Sequence, residues 1–306
     1  MTLLSVNNID YFYQDGDVQR YILRDISCSF ERGYFYTVLG ESGSGKTTLL
    51  ALLSALDQPK TGAVYYEGID IRSIGYDKYR RNNVSIIFQA YNLVPYMTAV
   101  ENVRMAMSIT DNQLPADLEA VAYNLLDYIG ISRDRADRTV NKLSGGEQQR
   151  VAIARALATN VDVILADEPT GNLDEEMENE IVQIFKRLAH EHNKCVIVVS
   201  HSSQIANQAD VVFRLRKGKF EPYETPAQAE ARWAQDYAPV QPQQQFVASQ
   251  GWEQPQAQSW VQPQPQPWIE MSPQPQLQPQ AQPQVQYQPQ PQYHDASAVS
   301  LTETDK

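Results

Sequence analysis

No stretch of this sequence is long and apolar enough to cross a bilayer. A spanning helix needs roughly 18 or more consecutive apolar residues, and the longest contenders, such as Val196-Ile197-Val198-Val199, are strand-sized. The N-terminus lacks the cationic, apolar leader of an exported protein. The expectation is a soluble, cytoplasmic chain whose membrane role, if any, comes through a partner. Cysteine is scarce too, with only Cys28 and Cys195. Both fall in predicted strands and read as small buried apolar residues in a reducing compartment; a bridge between them is the alternative. A basic stripe is also missing. Residues 221–306 hold nine acids against Arg232 and Lys306, and the whole chain carries a net charge of −12. That balance argues against a nucleic-acid backbone as the main partner.

What is present is a phosphate-binding loop, Gly40-Glu41-Ser42-Gly43-Ser44-Gly45-Lys46-Thr47, followed by Thr48. The run Tyr34–Leu39 before it reads as a buried strand. Thr48-Leu49-Leu50-Ala51-Leu52-Leu53 after it reads as a helix start. Glycines let successive N–H groups turn inward on a phosphate, and the helix N-terminus adds its positive dipole end. Lys46 is expected to reach the β- and γ-phosphates of ATP, and the Thr47 hydroxyl to ligate Mg²⁺.

The rest of residues 1–220 supports an α/β protein. Two strands flank the turn Gln14-Asp15-Gly16-Asp17, an antiparallel start. Tyr11, Phe12 and Tyr13 before it are, by spacing alone, ordinary strand aromatics. Ala63–Tyr66 and Val84–Phe88 are further strands, with Gln89 at the end of the second. Residues 98–129 are mainly helical by pattern, and their methionines read as packing. Ser144-Gly145-Gly146-Glu147 opens another helix, a second set of free N–H groups; alone, such a turn is an ordinary cap. Val161–Ala166 is a buried strand ending in Asp167 and Glu168. Two acids there suit a Mg²⁺ ligand and a general base for the attacking water, respectively; a solvated loop mouth is the bland alternative. Asp174 is a plausible N-cap for the helix bearing Ile181, Ile184, Phe185 and Leu188. Cys195–Val199 is a strand that ends at Ser200-His201.

In that order, GESGSGKT, Gln89, LSGGEQ, VILADE, GNLD and His201, the motifs resemble the nucleotide-binding subunits of ABC transporters. The resemblance covers residues 1 to about 220 and implies a P-loop NTPase core with an antiparallel β-subdomain and a helical subdomain near residues 90–158. It implies that Tyr13 stacks on adenine, that Gln89 contacts Mg²⁺ and the attacking water, and that His201 holds the γ-phosphate. It also implies that Ser144, Gly145, Gly146 and Glu147, with Asp174, belong to the nucleotide site, the signature turn closing over the ATP of a second copy in a homodimer. Glu-Pro-Thr-Gly-Asn-Leu-Asp and the segment Asn92–Asn102 look like the branch of macrolide exporters, lipoprotein-release ATPases and the cell-division ATPase. Those subunits work with four-helix permeases of the FtsX-like type, for export or mechanotransmission. Two departures stand out: Ser202 replaces the usual Asp after the switch His, and Glu41 replaces a small or apolar residue. Neither removes a catalytic group.

The expected organisation is an ATP-binding domain over 1–225 and a tail over 226–306. Residues 239–294 hold 12 of the chain's 18 prolines and no Lys or Arg. Such composition is expected to be disordered, with polyproline II character. Trp252, Trp260 and Trp268, eight residues apart, read either as partner anchors or as drift. The tail's partner is unknown. Two other functions stand beside the transporter reading: a soluble ABC ATPase, and a scaffold switched by nucleotide. Only 53 residues separate Gln89 from Leu143, too few for a long coiled-coil insertion, and one cassette is present.

Overall fold

The computed structural model describes residues 2–171 and 173–221. The chain opens with a long hairpin, β1 (Thr2–Asp15) and β2 (Val18–Glu31), joined at Gly16-Asp17. Gly16 has a φ of 58°, which an L-residue adopts only with strain. With β4 (Thr61–Tyr66) and β5 (Ile69–Asp70) the hairpin forms a four-stranded antiparallel sheet in the order β2-β1-β4-β5. A second sheet has the order β10-β9-β3-β8-β7-β6. Its members are β3 (Phe35–Leu39), β6 (Val84–Ile87), β7 (Val163–Asp167), β8 (Cys195–Ser200), β9 (Val211–Arg216) and β10 (Lys219–Glu221). The last two form an antiparallel hairpin, whereas β9, β3, β8, β7 and β6 run parallel.

A parallel sheet covered on both faces explains the apolar runs. In β8, Val196 and Val198 face one core cluster, while Cys195, Ile197 and Val199 face the other. The first cluster gathers the helices, namely α4 (Ala99–Met107), α5 (Leu118–Tyr128), α7 (Gly145–Ala158) and α8 (Glu175–His190). The second packs α1 (Lys46–Leu53) and the antiparallel sheet. Short helices α2 (Ile71–Ile74), α3 (Tyr76–Asn82), α6 (Arg133–Ala136) and α9 (Ser203–Gln208) complete the described elements.

Several boundaries move. The helix after the phosphate loop starts at Lys46, two residues earlier than the apolar pattern indicates. Gly45, at φ 107°, turns the chain sharply enough to put Lys46 and Thr47 in the first helical turn. The helical stretch over 98–129 divides into α4 and α5. Between them Asn112 Nδ2 donates to the carbonyls of Asn82 at 3.0 Å and Thr159 at 2.9 Å, which pins the connection to the core. Neither cysteine is bridged, and burial pushes the Cys28 thiol up to about 12. The 226–306 tail and its tryptophans lie outside the described residues.

Candidate active site

The phosphate loop joins the end of β3 to α1, and its curvature is held by close packing. A Cβ on Gly40 would lie 2.5 Å from Ser44 Oγ and 2.6 Å from the Leu215 carbonyl oxygen, so no larger residue fits. Gly40 N–H donates to the Ser200 carbonyl at 3.1 Å, tying the loop to the end of β8. A cleft of about 810 Å³ opens beside it. Glu41, Ser42, Gly43, Gly45, Lys46, Thr47 and Thr48 line it from the loop, and Gln89, Glu168 and His201 from the strand ends opposite. Parallel neighbours place Leu39, Asp167 and Ser200 at the same end of the sheet, so their following loops share one edge.

Lys46 is buried, with Nζ donating to the Gly40 carbonyl at 2.8 Å and the Glu41 carbonyl at 3.1 Å. The same nitrogen stands 3.2 Å from Glu168 Oε1. On its other oxygen, Glu168 accepts from Ser200 Oγ at 3.2 Å and the His201 N–H at 3.3 Å, and His201 Nδ1 lies 2.9 Å away. Glu168 itself has φ 44°, left-handed backbone that costs a glutamate on the order of 1 kcal/mol or more. Its N–H donates to the Val199 carbonyl and its carbonyl accepts from Gly171 N–H, so the strained turn is fastened on both sides. Strain of this kind concentrates where a side chain must be aimed.

Asp167 closes β7 next to the helix start. Thr47 Oγ1 donates to Asp167 Oδ1 at 3.3 Å. Burial raises the Asp167 carboxyl above its ordinary value, and the neighbouring Glu168 adds to that; the Thr47 hydrogen bond and Lys46 oppose it. A hydroxyl beside a half-buried carboxylate is a hard-oxygen pair suited to Mg²⁺. Ser44 Oγ, buried in the loop, has no hydrogen-bond partner among the described residues, which also fits a phosphate-bearing ligand. Gln89 Nε2 points at Gly171: a Cβ there would lie 3.1 Å from it.

Other expected residues stand apart from this cleft. Tyr13 lies on the hairpin, 56% exposed, with its ring edge-on to Tyr11 at 5.5 Å. Its cross-strand partner Arg20, and Ile22, do line the cleft. Spacing alone did not single out these two; the Asp-Gly turn was the signal, since it sets the register that brings β2 over the loop. Ser144 caps α7 in a reciprocal box, its Oγ accepting from Glu147 N–H while Glu147 Oε2 accepts from Ser144 N–H at 2.8 Å. The turn packs beside Tyr91 and Met177, and none of Ser144, Gly145, Gly146 and Glu147 lines the cleft. Asp174 accepts from Met177 N–H at 2.9 Å, as the N-cap of α8.

With this geometry in view, the chain compares with known proteins as follows. The family model described as ABC transporter matches residues 23–171. An uncharacterized ABC transporter ATP-binding protein of Bacillus subtilis, YclH, is 47% identical over 220 residues, 72% of this chain and 96% of the relative. The macrolide export ATP-binding/permease protein MacB of Bdellovibrio bacteriovorus is 40% identical over 219 residues, covering 71% of this chain and 33% of that longer protein. Among solved structures, the dimeric ABC transporter cassette MJ0796 superposes with a TM-score of 0.67 at 35% identity, over 73% of this chain and 98% of the cassette. The same cassette is also known as a dimer in a post-hydrolysis state with ADP and Pi.

Proposed function

The chain belongs to the ABC transporter ATP-binding family, and from that premise we propose that it drives a separate membrane permease by ATP-dependent closure of a head-to-tail homodimer. It is an ATP-binding and ATP-hydrolysing subunit of the type found in MacB-like transporters. The observation that carries the mechanism is the Glu168 carboxylate, aimed by a left-handed backbone to the mouth of the phosphate loop, between Lys46 and His201.

Each residue has a physical task. The loop amides and Lys46 hold the β- and γ-phosphates. Thr47 and Asp167 would hold Mg²⁺, which spreads the charge of the transferring phosphoryl group. Glu168 takes the proton of the attacking water, and Gln89 orients that water. His201 donates toward the γ-phosphate while steadying Glu168. Tyr13, with Arg20 and Ile22, forms the platform for base and ribose. The Ser144-Gly145-Gly146 turn offers helix-start N–H groups to the nucleotide of a second copy. Its absence from the lining of its own chain's cleft supports that reading, as does the dimeric form of MJ0796.

For the permease, we assign the contact to the segment Ala90–Tyr96, in which Ala90, Asn92, Pro95 and Tyr96 are exposed, Tyr96 to 78%. The pairing of ATP-binding and permease functions in MacB supports such a partner; we infer from the motif resemblance that it is of four-helix type and acts in export or mechanotransmission. No helix among the described residues is long and apolar enough to cross a membrane, so the chain would sit on the inner face of the cell membrane through that partner. The test is capture from solubilised membranes with the full chain as bait. Co-purification of a permease that stimulates Mg²⁺-dependent ATP hydrolysis supports the proposal. Unstimulated hydrolysis with only ribosomal or DNA-bound partners sinks it.

A further inference from the structure

Helix α7 carries the Ser144 turn at its start and Arg155 in its last turn. Arg155 is half-buried and has no carboxylate partner among the described residues. Its guanidinium instead donates twice to backbone, Nη2 to the Tyr91 carbonyl at 2.9 Å and Nη1 to the Asn92 carbonyl at 2.5 Å. Burial lowers its pKa, as expected for a cation held by dipoles rather than by an anion. Tyr91 and Asn92 are both left-handed, at φ 60° and 51°. Two such residues in succession are uncommon and need outside support.

The same segment is fastened at further points. Tyr91 N–H donates to the Phe88 carbonyl at 3.1 Å, closing a tight turn around Gln89. The Tyr91 ring packs on the helical core, and its hydroxyl reaches Gly145, where a Cβ would stand 3.2 Å from it. Downstream, the fully buried Asn102 accepts from Val94 N–H at 2.8 Å and donates to the Val94 carbonyl at 3.2 Å.

We propose that Arg155 is a positioning residue that locks the Gln89 turn to the Ser144-Gly145-Gly146 turn, so that the two move as one body. This rests on the dimer reading above. In that setting a copy aligns its Gln89 only when its α7 is oriented to close over the partner's nucleotide. Planar, forked donors are needed to span two adjacent carbonyls, so lysine cannot replace arginine here.

The experiment uses the full chain and reads turnover, nucleotide affinity, melting and ATP-dependent dimerisation. Arg155→Lys keeps the charge and loses the fork. Asn92→Val leaves Arg155 intact but disfavours the left-handed backbone, whereas Asn92→Gly accepts it. We expect Arg155→Lys and Asn92→Val to lower kcat by about tenfold, with KM for ATP within about twofold of the parent. Asn92→Gly should stay closer to the parent than Asn92→Val. In a Glu168→Gln background, Arg155→Lys should weaken the ATP-bound dimer several-fold. If Glu168→Gln alone fails to dimerise with ATP, the dimer reading falls and takes this one with it. If it dimerises, yet Arg155→Lys and Asn92→Val leave kcat and dimerisation at parental values, the lock alone is overturned. Equal losses of melting temperature, nucleotide affinity and kcat would likewise overturn it, since they mark a purely structural arginine.

Discussion

Lys46 Nζ and Glu168 Oε1 stand 3.2 Å apart at the mouth of the phosphate loop, with both side chains largely removed from solvent. In the proposed function this pairs the cation assigned to phosphate with the carboxylate assigned to the attacking water. We predict that Glu168→Gln keeps ATP binding, because the Lys46 amine remains in place, and lowers hydrolysis by about 10²- to 10³-fold through loss of the base. Titration with a fluorescent ATP analogue and phosphate release measure the two halves. Full turnover in this variant would remove Glu168 from the base role.

Asp162 sets a pH dependence of stability. Burial alone would raise its carboxyl, but Arg32 at 2.6 Å, with Tyr66 and Lys194 at 3.1 and 3.7 Å, holds it below the ordinary value of 3.8. A carboxylate depressed in the folded state adds stability above its unfolded pKa, and this is lost as pH falls through the folded value. Because Asp162 and Arg32 are each about a third exposed, the contribution is discounted to about 1 kcal/mol. Asp162→Asn should therefore lower the melting temperature at pH 7, with the deficit shrinking as the pH is lowered to about 3. An equal deficit at both pH values would contradict this.

Two loop glycines should respond differently to the same added methyl. At Gly40 a Cβ meets Ser44 Oγ and the Leu215 backbone inside 3 Å, whereas at Gly43 it meets nothing within 4 Å, and only the φ of 78° opposes it. We expect Gly40→Ala to weaken nucleotide binding by about a hundredfold or more, because backbone must shift. Gly43→Ala should cost about 1 kcal/mol, roughly fivefold. Titration with a fluorescent ATP analogue separates them.

Tyr13 tests the base platform. Removal of a stacked aromatic is worth about 1–3 kcal/mol, so Tyr13→Ala should raise KM for ATP between about five- and a hundredfold. Tyr13→Phe should stay near the parent, and kcat should change little in either. Unchanged KM in Tyr13→Ala would move the adenine elsewhere, with Tyr11, buried and bonded to Asp57 at 2.5 Å, excluded by its own packing.

Much of the site was legible in residue order. The phosphate loop, the acids after a buried strand and the histidine after the next strand are local signals, because each role needs a residue type at a strand end. Arg20 and Ile22 were not legible by spacing, since they reach the cleft only through pairing of β2 with β1. Nor did pattern reveal the break between α4 and α5, which depends on Asn112 bonding to two distant carbonyls.

The sequence by itself determined which side chains stand at the strand ends and helix starts, a phosphate-loop pattern, two acids, a histidine and the helix caps, because these follow from side-chain type and local backbone preference. Only the tertiary structure decided which of them meet. Parallel pairing of β3, β8 and β7 sets Lys46, Glu168 and His201 within hydrogen-bond reach, while Ser144 at the start of α7 does not line their cleft. Distances across a sheet depend on register and packing among residues far apart in the chain, and no local preference encodes them.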